Sequence, residues 1–426
     1  MISRRRFVQA GVMAGAGVGV SLGATEKPRH TLPPAIANLS SMKEQATPIT
    51  KEEYGQRQER ARQLMRENGL DAILVADGTS LRYFTGIDWW GSERFFAAII
   101  PFNGPAFYVC PAFEEGRARE QIVKAADAQR ADIRVWQEDE NPYQLLAQGL
   151  LDRKVSTGNL GMEETIRYVF SSSIAKTTPQ TKIVSATPVT AGCRMIKTEH
   201  EIALMRLASK ATLSVYEAAY RSISEGMTKA QFEELISAAY DRVGFPGEAT
   251  VQVGEFSSFP HGSPTSQVIR EGSIVLVDDG CTVEGYCSDI TRTFIFGKAS
   301  DKMKTVFDFV HRAQSEALKT ARPGVPCQAV DAAARKVITD AGYGPGYKFF
   351  THRLGHGMGM DGHEWPYLVQ GNSLPMAANM TFSDEPGIYI RGEFGIRLED
   401  DMHITENGAE LFTPQSPSLE DPFGRA

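Results

Sequence analysis

Residues 275–294 read VLVDDGCTVEGYCSDITRTF, and this stretch constrains the chain more than any other. Ile274, Val275, Leu276 and Val277 form the apolar, largely β-branched run of a strand covered on both faces. The run then meets Asp278 and Asp279, and the returning segment carries Asp289. An unpaired buried carboxylate is costly, so the fold must bring positive charge to this place. Asp278 and Asp289 are eleven residues apart, with Glu284 and Gly285 near the midpoint as turn residues. A hairpin closed there places the two aspartates nearly opposite each other on one face, where they repel. A divalent cation between them removes the repulsion, because hard oxygen ligands suit such ions.

The device recurs in DEPGIYIRGEFGIRLEDD, where Glu385 and Glu399 flank Gly392 at the midpoint of a second candidate hairpin. THRLGHGMGMDGHEW adds His352, His356 and His363 in a run too rich in glycine for helix or regular strand. Glycine lets backbone approach closely and leaves room beside an imidazole. Four carboxylates with at least one histidine suit two ions about 3.5–4 Å apart, a hydrolytic clamp. Each piece alone has a plainer reading. An aspartate near a turn is an Asx-turn or cap, a histidine among glycines is a structural residue, and Arg292 and Arg397 are ion-pair partners. The joint pattern carries the argument.

The length of 426 residues exceeds one ordinary core and implies two domains with appendages. Hydrophobic content of 42% and charged content of 23% are those of a globular protein. A net charge of −7 argues against nucleic acid or an anionic membrane as the main partner, and no stretch has the length of a membrane span. At the N-terminus, SRRRFVQAGVMAGAGVGVSLGA places Arg4 and Arg5 ahead of Phe7 and a short apolar run. This resembles a twin-arginine export signal over residues 1–28, which implies a periplasmic protein exported already folded. Residues 29–48, with Pro33, Pro34 and Pro48, read as a linker. The five cysteines are scattered, and the hairpin register puts Cys281 and Cys287 on opposite faces, so no disulfide framework is expected.

A helix is expected from about Glu53 to Asn68 with Gly69 as its stop, then strands at 72–75, 95–100 and 106–110 and a helix near 113–126. Residues 49–192 therefore read as a small α/β domain. Residues 193–426 open on a long amphipathic helix with Leu204, Leu207, Ala211, Val215 and Ala218 at helical spacing. Further helices at about 229–243, 302–321 and 328–341 alternate with hairpin-like segments, giving an α+β domain with helices on one side of antiparallel sheet.

From Cys193 to Leu411 the chain resembles the metallopeptidases of pita-bread fold: methionine aminopeptidase, aminopeptidase P and prolidase. VLVDDG, GYCSDITRT, GHGMG, DEPGIY and IRLED supply that family's five ligand contexts in order, which puts Asp278, Asp289, His356, Glu385 and Glu399 on ligand positions. The Xaa-Pro branch is the nearer resemblance, and residues 49–190 resemble its creatinase-type N-terminal domain. The resemblance implies that His261, in FPHGSP, binds substrate, that His363 steadies the tetrahedral intermediate, and that His352 lies near the leaving proline. It implies two divalent ions, with manganese best suited to oxygen-rich ligation and cobalt or zinc acceptable. A hydroxide bridging the ions would attack the Xaa-Pro carbonyl, with Glu385 as both ligand and general acid/base and Arg397 orienting a ligand carboxylate. A proline-containing dipeptide or short peptide is the expected substrate and a homodimer the expected assembly. The DWWGSERF turn, with Trp89 and Trp90, reaches a partner's active site or belongs to the core. Asp279 and Asp384 depart from the family's usual small or apolar residues. A regular strand points each away from its ligand neighbour, so both are left outside the site. Rival readings are a metal-free C–N hydrolase of creatinase type, a metal-dependent lyase acting on a metabolite such as dimethylsulfoniopropionate, and a non-catalytic binding module. The intact ligands, the aspartate spacing and His363 favour the peptidase.

Overall fold

The computed structural model describes residues 31–424 apart from 126, 127, 129 and 130; the export signal expected at residues 1–28 lies outside them. The N-terminal half is built on a six-stranded mixed sheet. Its strands run in the order Asp132–Trp136, Phe107–Pro111, Ala97–Pro101, Ala72–Ala76, Asn159–Met162 and Lys182–Ser185. Ala72–Ala76 is central and wholly buried, as expected of an apolar run with helices on both sides. Helix Lys51–Asn68 begins at a Thr50/Glu53 capping box and stops at Gly69, whose φ of 67° permits the left-handed turn.

In the C-terminal half, helix Glu199–Tyr220 starts on a second capping box, Thr198/Glu201. With Lys229–Val243 it covers one core containing Val275, Val277 and Phe294. Helices Asp301–Thr320 and Cys327–Asp340 cover the other core, which contains Ile274, Ile295, Phe382 and Met402. Strand Ser273–Asp278 thus alternates its side chains between two apolar layers, the period-two consequence of the pleat. It is the middle of an antiparallel three-stranded sheet with Arg292–Phe296 and Thr250–Val253. A five-stranded antiparallel sheet supplies Gly355–Gly357, Thr381–Asp384 and Asp400–Ile404, and Gly387–Ile390 pairs with Phe394–Arg397 as a separate ribbon. Antiparallel sheet under paired helices is the expected α+β arrangement.

Three expectations require correction. The expected linker, 29–48, is packed on the fold from residue 31 onward: helix Pro34–Ala37 buries Ile36 completely in the core beneath Glu199–Tyr220 and Lys229–Val243. Leu39, Met42, Ala46 and Ile49 pack behind it, and Arg242 donates to the Ala37 and Leu39 carbonyls. The prolines shape this strap rather than free it. Second, Val277 pairs with Arg292, so in the same register Thr291 rather than Asp289 lies across from Asp278. Asp289 reaches the site from the loop beyond, where Gly280 allows a close approach that a β-carbon would block against the Ser288 carbonyl. Third, the strand ends at Asp278, and Asp279 has a φ of 95°, so the alternation that would turn its side chain away does not apply. All five cysteines are free. Trp89 is core, stacked on Phe96, whereas Trp90 is exposed beneath the Arg117 guanidinium. Among the described residues no helix is long and apolar enough to cross a membrane.

Candidate metal centre

The two ribbons and the glycine-rich run meet in a cavity of about 380 Å³, lined by Asp278, Asp289, His356, Glu385 and Glu399 among others. Asp278 ends its strand. Glu385 and Glu399 flank the Gly387–Ile390/Phe394–Arg397 ribbon in one continuous register, because Gly387 pairs with Arg397. His356 sits within strand Gly355–Gly357, and its Nδ1 lies 3.1 Å from the Gly357 carbonyl, which leaves Nε2 toward the carboxylates. Nε2 is 3.3 Å from Glu385 Oε1 and 3.7 Å from Asp289 Oδ2.

Donor atoms gather in overlapping groups whose members all lie within 4.8 Å of one another. Asp278, Asp289 and Glu399 form one, and His356, Glu385 and Glu399 a second, with Glu399 common to both. Asp289, His356 and His363 form a third. The five residues read as donors from sequence are therefore brought together.

Their electrostatics are those of carboxylates short of countercharge. Burial raises the Asp289 and Glu399 carboxyls well above their ordinary range; Asp278 and Glu385 raise Asp289 further, and Asp289, Glu385 and Asp278 raise Glu399. Burial lifts Glu385 to about 8, with Arg397 opposing and Asp278 adding to the shift. Asp278 alone is held low: burial works against it, but Arg397, Thr291 and neighbouring donors outweigh that. Burial, reinforced by His363, depresses the His356 imidazole to about 3, so it offers a neutral nitrogen. Three carboxyls with raised pKa values and a neutral imidazole form an oxygen-rich donor set of the kind that holds hard divalent cations.

The remaining sequence-read residues surround this set. Arg397 binds Asp278, donates to Thr291 Oγ1 at 2.9 Å, to the Pro260 carbonyl and to Tyr389, and approaches Glu399 at 3.7 Å. His363 stacks on His356 with ring centroids 3.6 Å apart. His352 Nε2 contacts Tyr389 Oη at 2.7 Å, and burial lowers its pKa to about 3. His261, exposed, lines the same cavity. Asp384 is fully buried outside the lining, with neither carboxyl oxygen hydrogen-bonded among the described residues, as its exclusion anticipated.

Asp279 is the reverse case. It lines the cavity, and its Oδ2 accepts from Thr250 N at 2.9 Å and Thr250 Oγ1 at 2.7 Å. Sequence reasoning also missed Thr291, whose hydroxyl reaches Asp278 and Glu399 at 2.6 and 2.5 Å, and Arg353, which lines the cavity beside His352. Thr291 sits two residues past Asp289, across from Asp278 in the ladder, which was a usable signal; Arg353 carried none.

Residues 203–406 match metallopeptidase family M24, and residues 57–196 match the creatinase/prolidase N-terminal domain. An Xaa-Pro dipeptidase of Lactobacillus delbrueckii subsp. lactis is 31% identical over 362 residues, 84% of this chain and 96% of the relative. Among solved structures, a dipeptidase from Mycobacterium ulcerans superposes with a TM-score of 0.81 at 31% identity, covering 88% of this chain and 99% of the other. A prolidase from Thermococcus sibiricus gives 0.76 at 29%, covering 85% and 97%.

Proposed function

Because the chain belongs to metallopeptidase family M24 and joins its catalytic domain to a creatinase/prolidase N-terminal domain, we propose that it hydrolyses the Xaa-Pro bond of dipeptides or short peptides. The observation that carries this reading is the convergence of Asp278, Asp289, His356, Glu385 and Glu399, with Glu399 common to two donor groups. Two divalent ions held by these five residues would supply a water acidified toward neutral pH and an electrophile for the scissile carbonyl. Oxygen-rich donors favour manganese.

The chain's own groups do the rest. Glu385, on the cavity wall beside His356, is placed to accept the attacking water's proton. It then delivers that proton to the proline nitrogen, which carries no hydrogen of its own in the peptide bond and leaves only once protonated. His363, stacked beside His356, and His261 on the cavity wall are placed to donate to the developing oxyanion and to hold the substrate. Arg397 fixes Asp278 and, through the Thr291 hydroxyl, Glu399. The complete donor set speaks against a metal-free C–N hydrolase or a binding module.

Two further parts of the proposal rest on other observations. The Arg4–Arg5 pair and the apolar run after it support export to the periplasm. Trp90, 65% exposed in a turn bracketed by core residues, supports a homodimer in which this turn meets the partner. The test is hydrolysis of Leu-Pro and of Leu-Pro-Gly by protein stripped with chelator and reloaded with manganese. Leucine release only after reloading is the expected result, with free proline as the second product of Leu-Pro and Pro-Gly that of Leu-Pro-Gly; turnover of neither peptide overturns the reading.

A further inference from the structure

Two charges in the cavity have no role in the donor set. Its acidic lining is Asp278, Asp279, Asp289, Glu385 and Glu399, and all but Asp279 belong to the donor groups. Its guanidinium lining is Arg353 and Arg397, and Arg397 is engaged by Asp278, Thr291, Tyr389 and the Pro260 carbonyl. Arg353 has no ion pair among the described residues; its guanidinium lies 4.2 Å from the centre of the Tyr367 ring. Asp279 is oriented by its backbone and by Thr250. Its φ of 95° is a conformation that residues with side chains adopt at an energetic cost, and Thr250 holds Oδ2 with two hydrogen bonds. Oδ1 accepts no hydrogen bond among the described residues. One negative and one positive group thus remain free on the wall of one small cavity.

We propose that Asp279 and Arg353 bind the two termini of a zwitterionic dipeptide, Asp279 taking the α-ammonium and Arg353 the α-carboxylate. The proposal rests on the Xaa-Pro reading and narrows its substrate to dipeptides. In an extended dipeptide the terminal groups stand about 7 Å apart, a span that a cavity of about 380 Å³ accommodates. A third residue would replace the carboxylate by a neutral amide and carry the chain past Arg353. Charge-assisted hydrogen bonds to both ends give affinity only to a substrate with both termini free.

The test compares wild type, Asp279→Asn and Arg353→Gln as manganese-loaded full chains of equal metal content, on Leu-Pro, N-acetyl-Leu-Pro and Leu-Pro-amide, with Lys-Pro and Glu-Pro alongside. Asparagine retains an acceptor for Thr250 and tolerates positive φ. Wild type should favour Leu-Pro over each blocked form by about 10- to 100-fold in kcat/KM. Asp279→Asn should lose about that factor on Leu-Pro, through KM, and lose little further on N-acetyl-Leu-Pro. Arg353→Gln should do the same with respect to Leu-Pro-amide. Equal losses on free and blocked substrates, or none, overturn the inference, as do losses confined to Lys-Pro and Glu-Pro, which would make these groups side-chain selectors. Failure of wild type on every Xaa-Pro substrate overturns the underlying reading and this inference with it.

Discussion

Arg194→Ala should reduce kcat/KM on an Xaa-Pro dipeptide by about 10- to 100-fold, although Arg194 is not in the catalytic cavity's lining. Arg194 ends helix Thr187–Arg194 and pairs with both Asp361 and Glu364, the residues that bracket Gly362 and His363. Thr79 of the N-terminal half holds the other Asp361 oxygen, and Lys197 holds Glu364 at 2.7 Å. Removing the guanidinium exposes Asp361 to water, because that side chain is already 42% accessible. Glu364 is 6% accessible but keeps Lys197, so no buried charge is stranded. The expected cost in stability is therefore about 1–3 kcal/mol, the value of charged hydrogen bonds, rather than the larger penalty of an unpaired buried ion. The loop bearing His363 loses its tie to the end of helix Thr187–Arg194, and a misplacement of about 1 Å costs up to about 100-fold in rate. The assay is steady-state kinetics with metal content measured in parallel, on Arg194→Ala, His363→Ala and the double variant. If Arg194 acts by positioning His363, its removal from the His363→Ala protein should cost little. An equal loss in both backgrounds would refute the reasoning.

Glu385→Ala should lower turnover by about 100-fold or more, the scale of a lost general acid/base; near-normal activity would remove Glu385 from that role. Metal removal should make stability fall with rising pH. A carboxyl whose folded pKa is raised contributes stability that is complete below its ordinary value near 4.5 and lost as pH rises through about 8, as for Glu385. Chelated protein should accordingly melt lower at about pH 9 than at about pH 6, and manganese should flatten that difference; equal slopes with and without metal would contradict the electrostatic account. Ile36→Ala should destabilise the protein by about 2–5 kcal/mol in thermal melts, because the side chain is fully buried; a mobile linker would show no change.

The convergence of the donors was legible because each sits in a local context whose chemistry is visible: carboxylates closing an apolar strand, or flanking a glycine turn. The supporting shell was less so. Asp279 was misplaced because period-two alternation was extended one residue past the strand's end, where a positive φ reverses it. The stretch read as a linker over 29–48 was misjudged on its prolines, although Ile36, Leu39, Met42 and Ala46 recur every three or four positions, the spacing of a packed face. The Thr79–Asp361 contact joins residues 282 apart, and nothing local to either announces the other. Such pairings are set by how two cores dock, which hydrophobic periodicity alone does not encode.

Arg57 of helix Lys51–Asn68 donates to Glu201 at 3.0 Å and to Tyr286 Oη at 2.7 Å, and Tyr286 in turn donates to Glu201 at 2.6 Å. Arg57 and Glu201 are each at most 6% accessible, and Tyr286 lies on the excursion between Asp278 and Asp289. The N-terminal half is thereby bolted to the segment that carries two donors. Swinging it outward would strip a buried ion pair and drag on the centre, so the two halves are held as one body and a change at Arg57 should be felt at the donors.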